Sequence, residues 1–265
     1  MTNRIESKFK ELKKARKKAF IVFIMAGDPN LEATRKLVLE FDKIGVDIVE
    51  LGVAFSDPLA DGPTIQAASQ RALKNKVNIE KIFNLVKVVR KKSQIPLALM
   101  TYYNPVFRFG ENRFLVQAKK AGVDGVIIPD LIPEEAGHIL NTSKKLDLAT
   151  ILFLAPTSTR QRIKLVSKLS SGFIYYVSLT GTTGARTNLA ADLSKNIKQI
   201  KRFTKKPVCA GFGISNSSHV KQISRVADGV IVGSTIVKNI QHNIKNKDLI
   251  KKISIQIKQL QRPLK

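Results

Sequence analysis

Eight short, β-rich apolar runs recur along this chain, each separated from the next by a longer amphipathic stretch, and that alternation limits the available folds more than any single residue does. The runs lie at 20–26 (FIVFIMA), 47–53 (DIVELGV), 96–102 (PLALMTY), 125–130 (GVIIPD), 149–154 (ATILFL), 173–178 (FIYYVS), 207–212 (PVCAGF) and 229–233 (GVIVG). Apolar residues at three- and four-residue spacing predict helices over 31–44, 64–74 with 79–92, 112–121, 134–146, 159–169, 189–202, 216–226 and 234–260. Eight strands joined by helical crossovers predict a closed (β/α)8 barrel, the TIM barrel, and 265 residues suit one such domain spanning 1–265. An open doubly wound sheet would carry a glycine-rich fingerprint after its first strand, where this chain reads AGDPN. Ahead of that strand, Ile5, Phe9 and Leu12 form one stripe among lysines, which predicts an extra N-terminal helix.

No run of about 18 apolar residues is present, and the first twenty residues lack the apolar stretch of a secretory signal, so no membrane association is predicted. The single cysteine, Cys209, sits in an apolar run and permits no disulfide framework. These features predict a cytoplasmic protein, or one in the equivalent reducing compartment of an organelle. The net charge of +26 raises nucleic acid as a partner, but the basic doublets are scattered over the predicted outer helices and aromatics make up only 6% of the chain. Nucleic-acid binding is therefore not predicted.

In a barrel, the loops following the strands build the active site. The segment ELGVAFSDPLADGPTIQ, residues 50–66, places Glu50 in an apolar strand and Asp61 in the loop behind it. A carboxylate with apolar walls has its pKa raised toward neutrality, while a loop carboxylate stays ionised, so the two acids suit different tasks. The alternatives are an ion pair with a lysine for Glu50 and a plain turn role for Asp61; Asp57, before Pro58, reads as a turn former. Late in the chain, Gly181, Gly184, Gly213 and Gly233, with a helix start at Ser234, could turn backbone amides toward a phosphate. His138, His219 and His242 lie away from strand ends, so no metal is predicted, and the absence of lysine from every predicted strand disfavours an imine mechanism. Carboxylate acid/base chemistry on a phosphorylated substrate, without a cofactor, remains.

These segments, together with AGDP at 26–29, MTYYNP at 100–105, PDLIPEE at 129–135, GTTGAR at 181–186 and GFGIS at 211–215, resemble the tryptophan synthase alpha subunit family. The resemblance implies a lyase of L-tryptophan biosynthesis that cleaves indole-3-glycerol phosphate to indole and glyceraldehyde 3-phosphate by a retro-aldol reaction. It also implies a beta subunit as partner in an alpha-beta-beta-alpha tetramer. Carried over residue by residue, it makes Glu50 the general acid/base and Asp61 the partner of the indole N–H. Phe23, Tyr102 and Tyr175 would line the indole pocket with Ile65 and Phe212; Gly184, Gly213, Gly233 and Ser234 would hold the phosphate, and Thr183 would support Asp61.

The chain departs from the family pattern at Met25, where threonine is usual, at Ala54, where proline is usual, and in its large positive charge. Ala54 loosens a turn that the resemblance places against the beta subunit. Two other readings remain: a catalytically weak module that activates a beta subunit, and a stand-alone lyase that releases indole.

Overall fold

The computed structural model describes residues 3–177, 186–211 and 213–264. Eight parallel strands, β1 (Ala19–Met25), β2 (Ile48–Gly52), β3 (Leu97–Met100), β4 (Gly125–Ile127), β5 (Ala149–Leu154), β6 (Ile174–Val177), β7 (Val208–Gly211) and β8 (Gly229–Val232), pair in sequence order, and β8 closes onto β1. The helices are α1 (Arg4–Lys14), α2 (Leu31–Lys43), α3 (Pro63–Lys74), α4 (Ile79–Arg90), α5 (Tyr103–Phe109), α6 (Glu111–Ala121), α7 (Gly137–Lys145), α8 (Arg160–Leu169), α9 (Arg186–Lys201), α10 (Ser217–Ser224), α11 (Ser234–His242) and α12 (Leu249–Gln261). The (β/α)8 barrel with an N-terminal helix is thus the observed architecture. Several helices start where an Asn or Thr side chain accepts a first-turn amide: Asn30 for α2, Asn78 for α4, Thr159 for α8 and Asn216 for α10.

Side-chain alternation divides the apolar residues into two cores. Val22, Val49, Leu97, Val126 and Val230 face outward and join the inner stripes of the helices. Ile21, Ile48, Ala98, Ile127, Ile151, Cys209 and Ile231 fill the barrel interior. At its N-terminal end that interior is plugged by α1, whose Ile5, Phe9 and Leu12 are buried, with Phe9 packed 5.7 Å from Phe173 between ring centroids. Asn3 donates to Asp124 O (2.7 Å) and Asp147 O (3.0 Å), and Arg4 pairs with Asp124 (2.8 Å), so α1 is tied to the loops beneath β4 and β5.

Two helix predictions require correction. The single helix expected over 234–260 is two, because Asn243 turns its amide back to Asn239 and Asn246 accepts the Asp248 amide, local bonds that compete with helical continuation. The run 96–102 ends as strand at Met100, and α5, not anticipated, begins at Tyr103, whose N–H is capped by the Asp130 carboxylate (2.8 Å) of the following loop. The run 125–130 likewise ends as strand at Ile127. Among the described residues no helix is long and apolar enough to cross a membrane.

Because Phe9 closes the barrel floor, Phe9→Ala is expected to destabilise the protein by about 3 kcal/mol in urea unfolding. An unchanged midpoint would mean that α1 lies outside the cooperative core.

Candidate active site

The barrel's C-terminal mouth holds the buried acid that the sequence places there. Glu50 follows Ile48 on the inward face of β2, in register with Phe23 on β1 and Ala98 on β3. It is 0% exposed, and neither carboxyl oxygen has a hydrogen-bond partner among the described residues. The lysine pairing considered for it is absent from the ion pairs of those residues. Burial without compensation penalises the anion and pushes its pKa up to about 8, so at neutral pH Glu50 is mostly a neutral acid with a proton to give.

Around it, close approach to glycine sets the shape of the pocket. A Cβ on Gly52, the next inward position of β2, would lie 2.7 Å from the Phe23 ring and 3.0 Å from the Met25 thioether. A Cβ on Gly211 would lie 2.7 Å from the Tyr175 hydroxyl. These two glycines let large side chains from neighbouring strands lean across the mouth beside Glu50. Tyr175 also stacks on Phe153 at 4.8 Å, and burial, then the adjacent Glu50, holds its phenol well above the usual range.

Asp61 lies half-buried in the loop between β2 and α3. Burial raises its pKa to about 6, and a hydrogen bond from the Tyr102 hydroxyl works in the opposite direction. The same hydroxyl accepts the Ala60 N–H (3.0 Å), while the Tyr102 ring packs on Phe55 at 5.4 Å. Farther along α3, Gln66 donates to Asp61 O (2.8 Å), and Ser69 both accepts the Phe55 N–H (2.9 Å) and donates to Phe55 O (2.8 Å). Arg71, two residues on, makes a two-point ion pair with buried Asp28 at 2.7 and 2.8 Å, locking α3 to the loop after β1. Asp57 is exposed and bonds its neighbour Ser56, as a turn former would. Ile65 is buried on α3.

On the opposite side, Gly213 follows β7 with φ +30°, and Gly233 follows β8 as the residue before α11, which starts at Ser234 without a side-chain cap. Uncapped amides at such a helix start suit an anion. Thr183, Gly184, Gly181 and Phe212 lie outside the described residues. The structure therefore brings Phe23, Glu50, Asp61, Tyr102, Tyr175, Gly213, Gly233 and Ser234 to one end of the barrel. Sequence reasoning missed Gln66, Ser69 and the Arg71–Asp28 pair, which read as ordinary helix and turn residues. Glycine inside the strand runs at 52 and 211 was the available signal for the close approaches.

A parallel eight-stranded barrel with a neutral carboxylic acid in its mouth, a second carboxylate on the following loop and a late anion-suited rim belongs to the class of barrel enzymes with sites on the βα loops. A family model for the tryptophan synthase alpha chain matches residues 9–265. The tryptophan synthase alpha chain of Geotalea daltonii is 48% identical over 257 residues, covering 97% of both chains. The structure of tryptophan synthase subunit alpha from Legionella pneumophila superposes with a TM-score of 0.93 at 34% identity, covering 100% of this chain and 99% of that one. A chain of the Pyrococcus furiosus tryptophan synthase complex gives 0.83 at 34% identity over 92% of this chain and 98% of its own. The chain belongs to the tryptophan synthase alpha chain family.

Burying Glu50 has a measurable consequence for stability. Its folded pKa lies above the unfolded value of 4.5, so the native state holds a proton that the unfolded chain releases, and stability falls as pH rises from 4.5 toward 8. Glu50→Gln, which cannot ionise, is expected to be more stable than the parent at pH 8, with the advantage shrinking to nothing near pH 4.5. Urea unfolding across that range checks this; parallel pH dependences of the two proteins would contradict it.

Proposed function

We propose that this chain cleaves indole-3-glycerol phosphate to indole and glyceraldehyde 3-phosphate as the alpha subunit of a tryptophan synthase, in the cytoplasm, with Glu50 and Asp61 as its catalytic residues. The carrying observation is the fully buried Glu50 at the barrel mouth, without a hydrogen-bond partner among the described residues and held protonated by its surroundings. The leaving group in this reaction is a ring carbon, which must gain a proton as its bond to the side chain breaks. Glu50 delivers that proton to indole C3, and its conjugate base accepts one from the side-chain hydroxyl as the aldehyde forms, so the enzyme returns to its starting state. Asp61 accepts the indole N–H and, as a fixed anion, stabilises the positive charge that protonation puts on the ring. Tyr102, which bonds both Asp61 and the Ala60 amide, positions that anion.

Phe23, Tyr175 and Ile65 offer apolar walls for the indole, with Phe212 assigned from the family pattern. Gly213, Gly233 and Ser234 receive the phosphate at the start of α11, together with Gly184, and Thr183 is assigned to Asp61. No cofactor takes part in this scheme.

The same end of the barrel supports docking of a beta subunit. Leu59 (92% exposed), Phe107 (65%) and Ile132 (45%) stand on the segments after β2, β3 and β4, three adjacent strands, and so form an apolar arc on one side of the mouth. Ala54 lines a neighbouring recess of about 340 Å³ with Val53, Ile79, Pro105 and Phe109. A module that only activates its partner would not need a desolvated acid in the barrel, which favours the enzyme reading over that alternative.

Two measurements test these assignments. The kcat/KM for indole release should rise as Asp61 ionises near pH 6 and fall as Glu50 loses its proton near pH 8, a bell with limbs set by those groups. Glu50→Gln should lose at least about 100-fold in cleavage while still stimulating a beta subunit. Retained cleavage in that variant would remove Glu50 from the mechanism. Separately, Phe107→Asp should weaken association with a beta subunit by about tenfold or more, read by titration calorimetry, and leave unassisted indole release unchanged. Turnover that no beta subunit alters would favour the stand-alone lyase.

A further inference from the structure

At the N-terminal end of the barrel, remote from the mouth, α1 and the segments leading into β5, β6 and β7 enclose a cleft of about 710 Å³. Its floor is apolar, made by Phe9, Leu148 and Leu169. Its rim is lysine from four separate segments: Lys10 and Lys13 on α1, Lys144 at the end of α7, Lys168 at the end of α8, and Lys205 with Lys206 ahead of β7. Glu6 and Asp147 are the acids that line it, so six lysines less two carboxylates leave a formal surplus of four positive charges.

Part of this rim has a structural purpose. The Lys206 ammonium donates to Ser167 O (2.8 Å), Lys168 O (3.1 Å) and Ser170 O, satisfying the carbonyls at the end of α8; burial lowers its pKa and Glu6 opposes that. Lys13, Lys144 and Lys168 stand in last helical turns, where a cation complements the helix end. Neither explanation covers Lys10, in the middle of α1, or Lys205, in no helix. No rim ammonium pairs with a carboxylate among the described residues; Lys206 donates to backbone carbonyls alone. Asp147 already faces Lys119 at 3.4 Å. Like charges gathered round a concave apolar floor repel one another and focus a positive potential into the cleft.

We propose that this cleft binds a small oligophosphate, a chain of linked phosphates either free or carried by a nucleoside. A single phosphate would not bridge ammonium groups arriving from four segments, whereas a phosphate chain offers several charges along its length. Lysine, a flexible point charge, accommodates such a chain without the fixed geometry that a carboxylate demands of arginine. The volume is that of a small-molecule site, and the half-buried Leu140 and Leu169 offer a nucleobase an apolar contact.

Titration calorimetry of the full chain with inorganic tripolyphosphate and with ATP, at low and at physiological salt, tests this. One site per chain is expected, weakening as salt rises. The triple variant Lys10→Ala, Lys13→Ala, Lys205→Ala should bind at least about tenfold less tightly. Loss of the same three charges on α12, through Lys251→Ala, Lys252→Ala and Lys258→Ala, should change nothing. Tighter binding of ATP would identify a nucleoside-borne chain, and equal binding a free one. As a measurement on the unmodified protein, tripolyphosphate should protect Lys10, Lys13 and Lys205 from acetylation, read by mass spectrometry. The proposal fails if neither ligand binds, if both triple variants lose affinity equally, or if excess indole-3-glycerol phosphate displaces the ligand.

Discussion

Closure of β8 onto β1 is the constraint from which the rest of the molecule follows. A closed barrel leaves no unpaired edge, but it fixes the radius of its interior, and side chains from eight strands must then share that space. Large and small residues alternate to do so: Gly229 yields to Cys209 and Ala19, Gly125 to Ile151 and Ile5, Gly52 to Phe23 and Met25, and Gly211 to Tyr175. A methyl group at any of these four positions would come within 3.0 Å of a neighbouring side chain. One end of the interior is stoppered by α1, so the remaining opening among the described elements is the C-terminal mouth, where the site lies.

Within that packed wall a carboxyl group is costly as an anion, and among the described residues Glu50 has no compensating partner. Every lysine of the chain lies outside the eight strands, although the net charge is +26. Among the described residues, no cation pairs with Glu50 inside that basic shell. Asp61 sits where solvent and the Tyr102 hydroxyl reach it, and its pKa settles lower, at about 6 against about 8. Two residues of the same chemistry are thus set to opposite protonation states by strand and loop placement alone.

The barrel itself was legible because its signals are local and periodic: eight β-rich runs, helical spacing between them, and the stripe Ile5, Phe9, Leu12 that marks α1. Boundaries failed where a distant group intervened. Asp130, from the loop after β4, caps α5 and ends the third strand region early, and no pattern within residues 96–109 announces that. The break between α11 and α12 was closer to hand, since Asn243 and Asn246 are residues that bond their own backbone, yet the apolar spacing on either side read as continuous helix.

The order of residues by itself determined the eightfold alternation, the position of both acids relative to their strand, and the glycines at the late strand ends, because each depends on neighbours a few positions away. Only the tertiary structure decided that Glu50 has no partner among the described residues, that Tyr102 reaches from β3's end to Asp61 and Ala60, and that Arg71 holds Asp28 across 43 positions. Protonation state and loop position depend on what surrounds a group in space. Closing the barrel chooses those surroundings by bringing β2, β6 and β7 within reach of one mouth, a choice that spacing along the chain does not encode.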